Sequence, residues 1–165
     1  DVLKTGHTNA AGYCLVSSAK RRDMRLISVV MGADSDKARA RETQKLLSYG
    51  FRHYDTKTIY SAGDIIKENA KVWYGEEEFL NLTIAENVTL TLPRGAQKKL
   101  SANILVDEQI KAPIAAGQEL GRLQVSLNDE ILIDTALVAE KDIAQSGLFS
   151  RFVDWILLFI TQLMS

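Results

Sequence analysis

Cysteine occurs once in these 165 residues, at Cys14, so no intrachain disulfide can form, and neither a zinc-type cysteine cluster nor a redox pair is available. Histidine is nearly as scarce. His7 and His53 stand far apart with no ligand spacing around either, so no metal site is expected, and no cofactor. A surplus of one charge is missing as well. The formal net charge of -1 and a pI near 6.2 leave no basic footprint for nucleic acid, which is not an expected partner. The chain also lacks an internal repeat and a low-complexity stretch, while the missing secretory signal at its first residue is uninformative, because a chain that starts inside a motif would have its signal upstream. What remains is an ordinary folded composition, 46% hydrophobic and 25% charged, in a length suited to one domain or two small ones.

Three segments are expected: 1–53, 54–147 and 148–165. The first reads as strand, strand, strand, helix. Residues 2–8, 12–19 and 24–31 alternate as strands, and the charged turn Lys20-Arg21-Arg22-Asp23 joins the last two. Gly32-Ala33-Asp34-Ser35-Asp36 supplies breakers and an N-cap, so a helix is expected over 37–49, with Gly50 ending it. So small a sheet with one helix should leave a sheet face uncovered, because it buries too little apolar surface to offset chain entropy.

Residues 54–147 carry short β-branched runs between turn formers, the pattern of an all-β sandwich. Strands are expected at 71–74, 78–84, 88–92, 100–106, 119–127 and 130–138, with Asn128-Asp129 as a hairpin turn. Trp73 and Tyr74 are adjacent, so one should enter the core and the other face solvent. Cys14, in an alternating strand, is expected as a small buried hydrophobe.

The chemistry-bearing cluster is Lys4-Thr5-Gly6, followed by His7-Thr8. A fixed cation, a hydroxyl and a residue without a side chain together suit a peptide ending in a carboxylate. K-T-G is the strand motif of penicillin-interacting serine enzymes, where it stands beside S-x-x-K and S-x-N elements. This segment continues through Ala11-Gly12-Tyr13, Leu15-Val16-Ser17-Ser18-Ala19 and 24–32, and later stand Val72-Trp73-Tyr74-Gly75 and Leu90-Thr91-Leu92-Pro93-Arg94-Gly95. Over essentially its whole length the chain resembles the D-alanyl-D-alanine carboxypeptidases, the low-molecular-mass penicillin-binding proteins related to β-lactamases. Val2 stands where that family usually has Gly.

By letter, Ser17 to Lys20 is an S-x-x-K, and Ser101-Ala102-Asn103 and Ser126-Leu127-Asn128 are S-x-N triplets. S-x-x-K works on a helix, where positions i and i+3 share a face. Ser17 to Lys20 lies in a strand pattern, and in the family both motifs precede K-T-G. The nucleophile is therefore expected upstream of Asp1, with this chain as the C-terminal part of a longer enzyme, inactive alone.

Residues 148–165 read as an amphipathic helix. Ser150, Arg151, Asp154, Thr161, Gln162 and Ser165 make a narrow polar stripe, and Phe149, Phe152, Trp155, Ile156, Phe159 and Leu163 lie on the wide apolar arc. Arg151 and Asp154 leave too short an uncharged run to span a bilayer, so these six residues are expected to bind a membrane surface. The competing reading is a helix packed on the protein's own core or in a dimer.

The fold implied is α+β: the C-terminal piece of a β-lactamase/transpeptidase-like domain, then an all-β sandwich-like domain and an anchoring helix. The resemblance implies a serine-type carboxypeptidase that removes the terminal D-alanine of peptidoglycan pentapeptide stems through an acyl-enzyme and reacts with β-lactams. It further implies that Lys4, Thr5, Gly6 and His7 form the active-site strand, and that Lys4, Thr5 and Arg39 bind the substrate carboxylate. The backbone N–H of His7 is implied for the oxyanion hole, and the periplasmic face of the bacterial inner membrane for the location. On residues alone, an arginine in Lys37-Ala38-Arg39-Ala40-Arg41 is more often a solvated helix face. The alternative function is a non-catalytic β-sandwich spacer with a membrane anchor.

Overall fold

The computed structural model describes residues 3–147. By its internal contacts the chain divides into two compact units, Asp1–Lys57 with Thr89–Lys98, and Thr58–Val88 with Lys99–Ser165. The expected surface helix at 148–165 lies outside the described residues. Among these, no helix is long and apolar enough to cross a membrane.

In the first unit β1 (Leu3–Thr8), β2 (Gly12–Arg21) and β3 (Met24–Ala33) form an antiparallel sheet in that order. Helix α1 (Asp36–His53) packs on β2 and β3. Strand alternation gives the sheet two faces of different fate. Leu15, Ser17, Met24 and Ser28 are buried, and the hydroxyls of Ser17 and Ser28, which are cross-strand partners, pair at 3.0 Å. The alternate positions Val16, Ile27, Val29 and Met31 are exposed, Met31 by 76%. The uncovered apolar face is therefore present in the form expected. Cys14 is half-buried rather than buried, its thiol 3.5 Å from the Ala11 carbonyl oxygen beside the β1–β2 turn.

Ser35 caps α1, its hydroxyl accepting from the Ala38 N–H at 3.1 Å. The helix does not stop at Gly50 but continues to His53, and the Tyr54 N–H then bonds the Gly50 carbonyl. Gly50 serves close approach instead. A Cβ there would stand 2.5 Å from Leu26 Cδ1 of β3, so the missing side chain lets helix and sheet touch.

The remaining strands are β4 (Tyr54–Tyr60), β5 (Ile65–Trp73), β6 (Phe79–Ile84), β7 (Val88–Pro93), β8 (Leu100–Val106), β9 (Ile110–Lys111), β10 (Glu119–Leu127) and β11 (Glu130–Ala139). Among the described strands, β4 pairs only with β7. The others make one six-stranded sheet in the order β8-β10-β11-β6-β5-β9. Bulges bend this sheet. The register shifts twice in β5 and twice in β10, and the N–H of Asn69, at φ 53, finds the Asn81 side-chain oxygen at 3.2 Å. The core gathers on the central strands. Leu82, Leu123 and Leu137, from three strands, each have 0% exposure.

The Asn128-Asp129 turn is present with φ of 50 and 67, both positive, which is the type I′ geometry that matches strand twist. Trp73 and Tyr74 do not divide between core and solvent. Both are half-buried, because Tyr74 turns left-handed at φ 62 and ends the strand, cancelling the alternation.

Candidate functional site

β1 is an edge strand. It pairs with β2 on one side only, with Lys4 opposite Val16, Thr5 opposite Leu15, Gly6 opposite Cys14 and His7 opposite Tyr13. Among the described strands its outer N–H and C=O groups have no ladder partner, which is the arrangement that accepts an added extended peptide. All six of its residues are exposed.

Directly opposed residues share a face, so Lys4 and Gly6 lie with Val16 on the uncovered side, while Thr5 lies on the side of Leu15. Gly6 has an ordinary extended backbone, and a Cβ added to it would meet nothing within 4 Å. Nothing in the described residues requires a glycine there.

Arg39 is tied to this strand from behind. Its Nη1 donates to the carbonyl oxygens of Gly6 and Cys14, both at 3.1 Å, and its Nη2 pairs with Asp36 in the first turn of α1. The guanidinium also lies 5.6 Å from the centre of the Tyr13 ring, which stacks at 4.1 Å on His7. A chain of contacts therefore runs from α1 through Arg39 and Tyr13 to His7. Tyr13 has no role in the sequence reading. The signal for it is register: once the turn after Thr8 is taken as a tight hairpin, position 13 must oppose position 7.

The lookalike motifs are structural. Ser17 and Lys20 lie in β2, the first buried and the second exposed. Ser101 and Ser126 are cross-strand partners whose hydroxyls pair with each other at 2.9 Å. Among the described residues no three His, Cys, Asp or Glu side chains gather as a metal would need. The expected membrane-binding residues Phe149, Phe152, Trp155, Ile156, Phe159 and Leu163 lie outside the described residues.

Two family models match, one described as D-alanyl-D-alanine carboxypeptidase over residues 1–35 and one as penicillin-binding protein 5, C-terminal domain over residues 54–145. Among curated proteins, D-alanyl-D-alanine carboxypeptidase DacC of Escherichia coli is 38% identical over 96% of this chain and 40% of its own length. DacA of Haemophilus influenzae is 36% identical over 100% of this chain and 42% of its own. A crystal structure of penicillin-binding protein 5 from Haemophilus influenzae superposes with a TM-score of 0.72 at 36% identity, covering 86% of this chain and 42% of that one. The chain thus spans about two-fifths of the length of the curated relatives it matches. With more than half of its residues inside the C-terminal-domain model and its K-T-G strand inside the carboxypeptidase model, the chain belongs to the D-alanyl-D-alanine carboxypeptidase family of penicillin-binding proteins and corresponds to their C-terminal part.

Proposed function

We propose that this chain supplies the K-T-G wall of a serine-type D-alanyl-D-alanine carboxypeptidase, which cleaves the terminal D-alanine from peptidoglycan pentapeptide stems through an acyl-enzyme. The observation that carries the reading is Gly6. The described residues impose no glycine at that position, neither through a positive φ nor through a neighbour within 4 Å, and a residue without a side chain leaves the exposed edge open to close approach. An extended peptide laid along β1 is such an approach, and Lys4 and Thr5 flank it with a cation and a hydroxyl for the terminal carboxylate.

In this reading the backbone N–H of His7 donates to the developing oxyanion, a contribution of about 3 kcal/mol to transition-state stabilisation. The His7 side chain, stacked on Tyr13, packs beside the cleft and is not a base. Arg39 acts twice: it holds the Gly6 carbonyl from behind, and a substrate carboxylate that displaced Asp36 would meet the same guanidinium. The acylated serine and its lysine belong to a preceding region of the longer protein. Residues 148–165 would hold the enzyme on the periplasmic face of the inner membrane by their apolar arc.

The test is labelling with a fluorescent penicillin. This chain alone should form no covalent adduct, and a stoichiometric adduct would overturn the reading. In the longer protein that the proposal requires, Gly6→Val should slow acylation by at least about a hundredfold with folding intact. Acylation at the original rate in that variant would remove the peptide edge from the mechanism. For the anchor, the full chain should co-sediment with liposomes whereas a version ending at Gly147 stays in solution. Equal partitioning would leave residues 148–165 as a core or dimer helix.

A further inference from the structure

The near-zero net charge conceals a separation. The first unit carries thirteen Lys and Arg against six Asp and Glu, and the second carries seven against fifteen. Within the basic unit, charge converges where α1 ends. A cleft of about 540 Å³ is lined by Arg21 at the end of β2, Ser48, Phe51 and Arg52 from α1, and Arg94 from the segment after β7. No carboxylate among the described residues lines it.

The three guanidiniums are held in different ways. Arg21 lies 4.9 Å from the centre of the Phe51 ring, and Arg94 Nη2 donates to the Phe51 carbonyl oxygen at 3.2 Å. Arg52 stands in the last helical turn, one turn beyond Ser48. None of the three takes part in an ion pair among the described residues. An adjoining groove of about 450 Å³ shares Ser48 and Arg52 and adds Arg41 and Lys45. That groove has its own counter-charge, because Glu42 pairs with Arg41 at 3.0 Å and with Lys45 at 3.1 Å. Uncompensated charge is therefore concentrated in the cleft of Arg21, Arg52 and Arg94.

The helix C-terminus contributes about half a negative charge there, and one arginine would balance it. Three exceed it. Guanidinium forks match the oxygens of a phosphate two at a time, and a multivalent anion gains from three converging cations what a single carboxylate cannot. We infer that the cleft of Arg21, Ser48, Arg52 and Arg94 is a binding site for a phosphate-bearing ligand of at least two charges, separate from the K-T-G edge. Its recognition elements are the three guanidiniums with the Ser48 hydroxyl as a further donor. A lipid headgroup and a soluble phosphate ester present the same chemistry.

Isothermal titration of the full chain with inorganic pyrophosphate tests this, with acetate at equal ionic strength as the comparison. Saturable one-to-one binding that acetate does not reproduce is expected, weakening as salt rises. Arg52→Gln, at an exposed position, should bind about tenfold more weakly. Lys141→Gln, in the acidic unit, should bind as the parent does. Amide shifts should move at Ser48, Phe51, Arg52 and Arg94. Absence of saturable binding, undiminished affinity in Arg52→Gln, or an equal loss in Lys141→Gln would each overturn the site. Displacement of pyrophosphate by vesicles containing phosphatidic acid, but not by phosphatidylcholine alone, would assign the lipid source. Persistence of binding beside both would assign the soluble one.

Discussion

Replacing Arg39 by alanine should loosen the K-T-G strand without unfolding the protein. One guanidinium nitrogen bonds two carbonyls, those of Gly6 and Cys14, each at 3.1 Å. Hydrogen bonds to charged groups contribute about 1.5–3 kcal/mol each. Here they share a donor, and with the side chain 13% exposed, water recovers part of the loss. The paired Asp36 is 70% exposed and adds little. About 2 kcal/mol is the resulting cost for both bonds, which corresponds to a roughly 30-fold increase in local opening. Amide hydrogen exchange followed residue by residue measures it directly. Amides of β1 and the start of β2 should exchange about 30-fold faster, while those of β10 and β11, in the other unit, serve as an internal control. Arg39→Lys keeps the charge but loses the fork, and should fall between the two. Unchanged exchange in β1, or an equal acceleration in β10, would refute the claim that α1 holds this strand through Arg39.

The same experiment on the parent chain should find weaker protection in β1–β3 than in β6, β10 and β11, because the Val16, Ile27, Val29 and Met31 face is open. Equal protection would contradict this. Gly121→Ala should destabilise the second unit by about 2 kcal/mol, lowering its melting temperature by roughly 10 °C, since the new Cβ would lie 2.4 Å from the Leu105 carbonyl oxygen. Gly6→Ala, by contrast, should leave the melting profile unchanged. Hydrogen bonds from Arg122 and then Gln124 hold the Asp134 carboxyl below its ordinary range. A depressed folded value adds stability above the unfolded carboxylate pKa, and that stability disappears as pH falls through the folded one. A carboxyl NMR titration should show the low midpoint and its upward movement in Arg122→Gln; an unmoved midpoint would assign the shift elsewhere.

Patterns carried by hydrophobic alternation or by one local side chain were legible in the sequence. β1, β2 and β3, the Ser35 cap and the Asn128-Asp129 turn each depend on residues within a few positions. Features that depend on a distant neighbour were not. Gly50 reads as a helix stop until Leu26 is seen against it. The first half of β5 disappears because register shifts on either side of Lys67, the second beside Asn69, break its alternation, and β9 has only two residues, paired in parallel with β5. β4 is half-polar because it pairs with β7 alone. In the candidate site the K-T-G residues were legible as letters, and the Arg39 contact with Gly6 was not, since it links positions 33 apart. The basic cleft was hidden for a different reason: a whole-chain charge sum averages two opposite units.

The unit boundary cuts the chain three times, between Lys57 and Thr58, between Val88 and Thr89, and between Lys98 and Lys99. Neither unit is a continuous piece of sequence. A protein shortened to begin at residue 58 would keep Thr89–Lys98 and lose everything that segment packs on, including the helix end that Arg94 holds through Phe51. A chain stopped at residue 57 would leave the other side of that contact bare. Clean dissection requires replacing residues 89–98 with a short turn in the second unit, or rejoining them to the first through a new linker. A single proteolytic nick between Lys57 and Thr58 would leave residues 89–98 covalently joined to the second unit on both sides, so 1–57 would then be held only by its packing on that segment.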